Sequence, residues 1–187
     1  MTRWQPDAQG RLEQAALDLY VEQGYENTTV AEIAARAGLT ERTFFRYFSD
    51  KREVLFSGTT AFQDLIVDAI VDAPVAASPI DAVTRAFDAL ATFFQTRRDV
   101  VQRRQAIIAA NAELRERELI KLSSTAAAMA GALRSRGVRE PAASLTAEAG
   151  MAAFRVAFER WAKDPKRRSL SRLVHESLDT LRTVTAG

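Results

Sequence analysis

The amino-acid sequence predicts an all-α fold of about nine helices. Apolar residues recur along the chain at spacings of three and four, which is the period of an amphipathic helix. No stretch alternates apolar and polar residues strictly enough to predict a β-strand. Hydroxyl residues, glycines and prolines stand where these helices would begin or end.

The first part of the chain predicts short helices in close succession. Each has a capping hydroxyl or acid near its start, or a glycine or proline at its end. A capping-box spacing, Thr29 with Glu32, supports the start of the second helix. The expected helices run from Leu12 to Gly24, from Thr29 to Gly38, from Thr40 to Phe48, and from Asp50 toward Pro74.

The rest of the chain predicts longer helices. Ser78 is expected to cap the fifth helix, with Pro79 at its first position, where a missing N–H costs nothing. Gly137 marks the end of a long helix and Pro141 the start of the next. Beyond the fifth helix, the expected spans are 99–110, 113–136, 141–162 and 169–184.

The segment TERTFFRYF, residues 40–48, combines four aromatic rings with two arginines. On a helix turning about 100° per residue, Phe44 and Phe48 share one face and Tyr47 lies at its flank. The opposite face carries a hydroxyl at its edge, one ring and two cations: Thr43, Phe45, Arg42 and Arg46. We expect the first face to be buried and the second to be exposed.

The short link Gly38-Leu39-Thr40 between two helices predicts a helix-turn-helix unit. In such a unit the second helix enters the major groove, where arginine can pair with guanine or hold a phosphate. The net charge of +2 is small, but residues 36–52 hold five cations against two acids. On spacing alone, a helical bundle with solvated arginines remains the alternative.

The stretch Leu12–Phe56 resembles the DNA-binding region of the TetR family of bacterial transcriptional regulators. It reads LEQAALDLYVEQGYENTTVAEIAARAGLTERTFFRYFSDKREVLF, with the pairs Gly24-Tyr25 and Tyr47-Phe48 at matching positions. The resemblance implies a DNA-binding head, expected at 1–50, on a ligand-binding and dimerisation body, expected at 51–187. The DNA contacts that it implies are Thr29, Thr40, Arg42, Thr43, Phe45, Arg46, Tyr47 and Lys51.

One of these positions departs from the family pattern. The residue before the final Tyr-Phe pair is often aromatic in the family, whereas here it is Arg46. This departure favours pairing of a cation with a base or with a phosphate, and both alternatives stay open.

The function implied by the resemblance is that of a ligand-responsive repressor. It would bind palindromic double-stranded DNA as a homodimer and be released by an effector. Residues 112–117 and 154–161, with the recognition segment, resemble a branch of the family that has acyl-CoA-like ligands. Another small apolar ligand, or none, is the alternative. Candidate lining residues, each of which is also explicable as plain core, are Phe62, Phe87, Leu90, Phe94, Ile108, Met129, Met151 and Phe154.

The segment Leu145–Trp161 is apolar on more than one side. In a chain of this size, one side is expected to meet a second subunit, together with the apolar stripe of the last helix. Packing within one subunit is the alternative. The expected interface residues are Leu145, Ala149, Ala152, Val156, Leu170, Leu173, Val174, Leu178 and Leu181.

The composition argues against several other classes of protein. The chain has no cysteine and a single histidine, His175, so we expect no metal site, no cofactor and no enzymatic activity. The N-terminal MTRWQPDAQG lacks the apolar region of a signal peptide, and no uninterrupted apolar stretch approaches the length of a membrane span. A cytoplasmic protein without a membrane partner is expected. Two other hypotheses remain, an α-helical enzyme that uses carboxylates and a protein-interaction module that binds no DNA.

Overall fold

The computed structural model describes residues 7–164 and 167–186, which form nine α-helices, one short 3-10 helix and no β-strand. The all-α prediction is confirmed. The helices are α1 (Ala8–Gln23), α2 (Val30–Arg36), α3 (Glu41–Tyr47), α4 (Thr59–Val71), α5 (Pro79–Gln95), α6 (Arg98–Ala110), α7 (Ala112–Ser135), α8 (Ala142–Lys163) and α9 (Leu170–Thr185). The 3-10 helix Glu53–Phe56 lies between α3 and α4.

The predicted helix from Asp50 toward Pro74 is wrong in its first turns. The Asp50 carboxylate accepts hydrogen bonds from the backbone N–H groups of Arg52 and Glu53, as a cap would. The turn that it caps is the 3-10 helix, and α4 begins only at Thr59. Asp50 therefore ends the irregular link after α3 instead of starting a long helix.

The chain divides into two compact units. Unit 1 contains the described residues up to Gly58 together with Arg103–Glu118, and unit 2 contains Thr59–Gln102 and the described residues from Leu119 onward. The helices α6 and α7 consequently contribute residues to both units.

The core of unit 1 is built from α1, α2, α3, the 3-10 helix and the residues of α6 and α7 that belong to this unit. Its innermost side chains are apolar and inaccessible to solvent, because the amphipathic faces of these helices converge on them. They include Leu12, Ile33, Phe44, Ile108 and Leu114. This core fixes the orientation of α3, since Phe44 points directly into it.

The core of unit 2 joins α4, α5, α8 and α9 to the unit 2 residues of α6 and α7. The helices α5 and α8 approach closely at Gly150, where an added Cβ would lie only 2.7 Å from Cγ1 of Val83. The Phe87 and Phe154 rings stack at this crossing with their centres 4.7 Å apart. The crossing therefore requires a residue without a side chain at position 150.

The stretch Glu53–Val71 is long and apolar enough, by length and composition alone, to cross a membrane. Core helices of water-soluble proteins satisfy the same criterion. Here the stretch is divided between the 3-10 helix and α4, and its buried side chains belong to the two cores. We do not take it as an indication of membrane insertion.

Candidate nucleic-acid interface

The turn between α2 and α3 is a Schellman motif centred on Gly38. Gly38 has a φ of 66°, in the left-handed region that glycine adopts without a steric penalty. The N–H of Leu39 donates to the Ala34 carbonyl at 2.8 Å, and the N–H of Gly38 donates to the Ala35 carbonyl at 3.0 Å. These bonds satisfy the last carbonyls of α2 and set the direction in which α3 leaves.

Threonine hydroxyls cap both helices of this motif, as the sequence predicts. Thr29 accepts from the N–H of Glu32, and the Glu32 carboxylate accepts in return from the backbone N–H and the hydroxyl of Thr29. These hydrogen bonds lower the pKa of Glu32 below its ordinary value. Thr40 accepts from the N–H of Thr43 at 3.2 Å. The N-termini of α2 and α3 are therefore fully formed without DNA.

The buried face of α3 consists of Phe44 and Phe48, which are 0% and 5% exposed. Their ring centres lie 5.4 Å apart, and both rings pack in the core of unit 1. Tyr47, at the flank, is 40% exposed. The division of this helix into an aromatic inner face and a cationic outer face is confirmed.

The outer face of α3 presents two arginines in different states. The Arg46 guanidinium lies 4.9 Å from the centre of the Tyr47 ring and donates to the Tyr47 hydroxyl at 3.1 Å. Arg42 is exposed and forms no hydrogen bond or ion pair within residues 7–164 and 167–186. Phe45 stands between them with 54% of its surface exposed. Arg42 is thus free to reach a base edge, whereas Arg46 is held beside a hydroxyl.

Lys51, for which a phosphate contact is expected, is engaged by main-chain carbonyls within unit 1. Its ammonium group donates to the carbonyls of Tyr25, Glu26 and Thr28 at 2.8, 3.2 and 2.9 Å. It also lies 4.4 Å from the centre of the Tyr25 ring. Lys51 therefore ties the loop between α1 and α2 to the link after α3.

The remaining cations of the basic segment are neutralised by acids. Arg36 forms a bidentate pair with Glu22, at 3.0 and 2.8 Å. Arg52 bonds both Asp50 at 2.7 Å and Glu113 at 2.6 Å, and its guanidinium holds the pKa of Asp50 below its ordinary value. Among the arginines of the segment, Arg42 and Arg46 on α3 are the two that no acid of the described residues pairs. Sequence reasoning missed these pairs because Glu22 and Glu113 are distant in the chain.

The candidate ligand residues fall into two groups. Ile108 is fully buried in the core of unit 1. All the others, from Phe62 to Phe154, belong to the core of unit 2, where Phe62 is half-buried and the rest are buried. Ile108 belongs to a different core from the others, because α6 passes from unit 2 into unit 1 before position 108.

The candidate dimer residues separate by helix. On α8, Leu145 and Val156 are 65% and 49% exposed, Ala152 is exposed and Ala149 is half-buried. On α9, the predicted interface residues Leu170, Leu173, Val174 and Leu178 are buried in the core of unit 2, and Leu181 is half-buried. Assigning this buried set to a dimer interface is wrong, because α5 and α8 already cover the apolar stripe of α9.

No group of three or more histidines or acids that could hold a metal ion occurs within the described residues. On the surface of unit 2, His175, the only histidine of the sequence, bonds the Asp88 carboxylate, whose two oxygens accept from Nε2 at 3.0 Å. This pair links α5 to α9.

Comparison with known proteins identifies the family of the chain. Residues 13–57 match the family model described as bacterial regulatory proteins, tetR family, and residues 77–186 match the model of the MftR C-terminal domain. The chain belongs to the TetR family of transcriptional regulators. Members of this family are DNA-binding regulators that respond to ligands, and are not enzymes.

The alignments of this TetR-family chain with sequence relatives cover less than half of each relative. The regulator TcmR of Streptomyces glaucescens is 39% identical over 75 residues, which cover 40% of this chain and 33% of TcmR. An uncharacterized HTH-type transcriptional regulator of Mycobacterium tuberculosis is 31% identical over 91 residues, which cover 49% of this chain and 47% of that protein.

Solved structures of the TetR family share the fold along nearly the whole chain. FadR of Thermus thermophilus, a repressor in complex with lauroyl-CoA, has a TM-score of 0.61 at 21% identity and covers 92% of each chain. The complex of SmeT with triclosan has a TM-score of 0.66 at 21% identity and covers 95% of this chain and 90% of SmeT.

Proposed function

We propose that this protein is a ligand-responsive transcriptional repressor that binds a palindromic operator as a homodimer. The observation that carries the proposal is the outer face of α3. An exposed ring and two arginines stand there on a helix that two buried phenylalanines anchor to the core of unit 1. The two arginines match the hydrogen-bond acceptors of guanine and of the phosphates, and the ring matches a thymine methyl group.

In this proposal, α3 lies in the major groove. Arg42 pairs with a guanine, since its guanidinium has no competing partner within the described residues. Arg46 and Tyr47 act together on a phosphate, and Phe45 with Thr43 meets thymine methyl groups. Thr29 and Thr40, at the exposed N-termini of α2 and α3, contact the DNA backbone.

We assign DNA binding to residues 1–50, and ligand binding and dimerisation to residues 51–187. The match of residues 13–57 to the tetR-family model supports the first assignment. Unit 1 also contains Arg103–Glu118. Within unit 1 these residues hold the 3-10 helix through pairs such as Arg117 with Glu53 at 2.7 Å. The head is thus stabilised by residues that follow it far along the chain.

The proposed dimer interface is centred on α8. The residues Leu145, Ala149, Ala152 and Val156 form a row along its outward face, and two large side chains of this row are substantially exposed. Single exposed apolar residues are ordinary, but a row of them on one helix marks an interaction surface. Two-fold pairing of this row with its copy would give a dimer that carries two copies of the DNA-binding head.

The proposed effector is a small apolar or acyl-CoA-like molecule that binds in unit 2 of a cytoplasmic protein. Support comes from the large aromatic core of unit 2 and from solved family members, among which FadR holds lauroyl-CoA and SmeT holds triclosan. Effector binding would alter the spacing of the two heads. Since operator half-sites lie about one helical turn apart, roughly 34–36 Å, or a multiple of it, a small change costs affinity.

Selection of duplexes from a random pool tests DNA binding. The purified protein is expected to enrich a palindrome. Arg42→Ala should relax the preference at one position of each half-site and weaken operator binding by about 1–3 kcal/mol. Arg139→Ala, which removes an exposed arginine of unit 2, is the matched control and should leave affinity unchanged. Failure to enrich any palindrome would refute the proposal.

Native mass spectrometry tests the assembly and reports any co-purified effector. Val156→Glu should convert the dimer to monomer, because it places a charge in the apolar row. Val75→Glu makes the same change at a fully exposed position of the loop between α4 and α5 and should leave the dimer intact. If both variants remain dimeric, α8 is not the interface.

A further inference from the structure

Arg98, the first residue of α6, is a buried cation that forms no ion pair with an acid of residues 7–164 and 167–186. It is 4% exposed. Its Nη atoms donate to the carbonyls of Trp161, Asp164 and Arg168 at 2.8, 3.2 and 3.1 Å. Within the described residues, no carboxylate lies close enough to form an ion pair with it, and Asp164 pairs with Arg168 instead. The hydrogen-bond partners of this buried guanidinium are therefore neutral carbonyls, and its charge has no ion pair of its own within the described residues.

Two hydrogen-bond donors at this position have no partner. The Nε of Arg98 and the Nε1 of Trp161 are buried without any acceptor in the described residues. The Arg98 guanidinium lies 4.8 Å from the centre of the Trp161 ring, so both donors belong to one small region. Buried donors are normally paired, because leaving one unpaired costs the full free energy of its desolvation. Both groups lack an acceptor, and neither can act as one.

Aromatic rings connect this region to the surface of unit 2. The Trp161 ring lies 5.6 Å from that of Phe158, which lies 5.6 Å from Phe94. The Phe94 ring is 5.1 Å from Phe62. We call these four rings the aromatic path. Trp161 is fully buried at its inner end, whereas Phe158 and Phe62 are half-buried. The path is apolar along its length and has its unpaired donors at the inner end.

We propose that Arg98 and Trp161 bind the carboxylate of an amphipathic acid whose apolar body lies along the aromatic path. A carboxylate supplies acceptors for both donors and the negative charge that Arg98 lacks, and charge-assisted hydrogen bonds of this kind are the strong ones. The apolar body of the acid would pack against the rings. The inference deepens the proposed function, since this acid would be the effector.

Calorimetric titration tests the site with acids and their neutral counterparts. The probes are dodecanoate with 1-dodecanol, and 2-naphthoate with 2-naphthalenemethanol. At least one acid should bind about tenfold or more tightly than its alcohol, as expected for hydrogen bonds to a charged group. Trp161→Phe removes the indole N–H and keeps an aromatic ring, and it should erase most of that preference. Trp4→Phe, at the other tryptophan of the sequence, is the matched control.

A second pair of variants addresses the charge. Arg98→Gln should abolish the preference for the acid, whereas Arg97→Gln, at the neighbouring exposed arginine, should retain it. Because Arg98 also holds the end of α8, its variant is compared only if its unfolding midpoint shows a folded protein. If Arg98→Gln is not folded, Trp161→Phe alone tests the proposal. Equal binding of acid and alcohol, with Trp161→Phe unchanged, would mean that the donors hold a buried water only and would overturn the proposal.

Operator binding, measured in the same preparations, separates this inference from the proposed function. If neither acid binds to protein that still binds its operator, the carboxylate site is refuted and the regulator stands. If an acid binds with the expected dependence on Trp161 but leaves operator affinity unchanged, the site stands and its role as effector site is refuted.

Discussion

Lys51 could either hold the loop between α1 and α2 or contact a DNA phosphate, and one substitution distinguishes the two roles. Its ammonium group makes three hydrogen bonds to main-chain carbonyls of the loop between α1 and α2. Lys51→Met keeps the unbranched stem and removes the charge and the donors. If the bonds tie the loop, the variant loosens it; if Lys51 contacts a phosphate, the variant changes the salt dependence of DNA binding.

The expected loss of stability follows from these contacts. Hydrogen bonds to charged groups contribute about 1.5–3 kcal/mol each. Lys51 is half-buried, and water can reach the carbonyl of the exposed Glu26 once the side chain is gone, so the sum must be discounted. The cation–π contact with Tyr25 adds about 0.5–1 kcal/mol. We expect Lys51→Met to destabilise the loop by about 3 kcal/mol.

Hydrogen exchange measured by mass spectrometry checks this value. A change of about 3 kcal/mol corresponds to a more than hundredfold faster exchange of amides in the segment 25–33 when exchange follows local opening. Lys163→Met, at an exposed lysine of α8, is the matched control and should leave that segment unchanged.

The dependence of operator affinity on salt concentration distinguishes the two roles of Lys51. If Lys51 only holds the loop between α1 and α2, Lys51→Met should bind DNA more weakly with an unchanged slope of log affinity against log salt concentration. A phosphate contact predicts a slope smaller by about 0.9. Unchanged protection of the segment 25–33 together with the smaller slope would refute our assignment of Lys51.

Three further predictions concern Arg46, the pair of glycines Gly38 and Gly131, and Asp50. Arg46→Ala should weaken operator and random duplexes equally and reduce the salt slope by about one, as competition binding will show; loss at the operator alone would make Arg46 a base contact. Gly38→Ala should lower the free energy of unfolding in urea by about 1–2 kcal/mol, because φ is 66° there although nothing lies within 4 Å of the new Cβ. Gly131→Ala, inside α7 and with ordinary contacts, should raise the free energy of unfolding by up to about 1 kcal/mol. A Gly38→Ala variant more stable than Gly131→Ala would contradict this reasoning. The pKa of Asp50 lies below its ordinary value of 3.8, mainly because Arg52 bonds it. The contribution of the ionised Asp50 carboxylate to the free energy of unfolding is therefore complete above about pH 5 and is lost as the pH falls through the lowered pKa. Urea midpoints measured between pH 5 and pH 2.5 should fall less steeply in Asp50→Asn, and an equal slope would exclude this carboxylate.

The helix boundaries and the two faces of α3 were predictable from the sequence. Thr29, Thr40 and Ser78 cap their helices through N–H groups three residues away, so the signal lies within one turn. Gly38 ends α2 for a similarly local reason. The burial of Phe44 and Phe48 follows from their shared helical face.

The dimer surface could not be predicted from such local patterns. The stripe on α9 and the row on α8 are both apolar, and nothing local distinguishes a face that meets its own core from one that meets a partner. In the structure, α5 and α8 cover Leu173 and Val174, whereas Leu145 and Val156 stay exposed. Which apolar face remained available depended on how the helices of unit 2 pack.

Apart from the start of α4, the sequence by itself determined the helical elements, their ends and the cationic outer face of α3, because periodicity and capping act over about four residues. Only the tertiary structure decided which cations of the basic segment remain available. Arg52 pairs with Glu113, 61 positions away, and Lys51 bonds Tyr25, 26 positions away. Contacts between such distant residues arise from chain packing, and they leave Arg42 and Arg46 as the arginines of the basic segment that no acid of the described residues pairs.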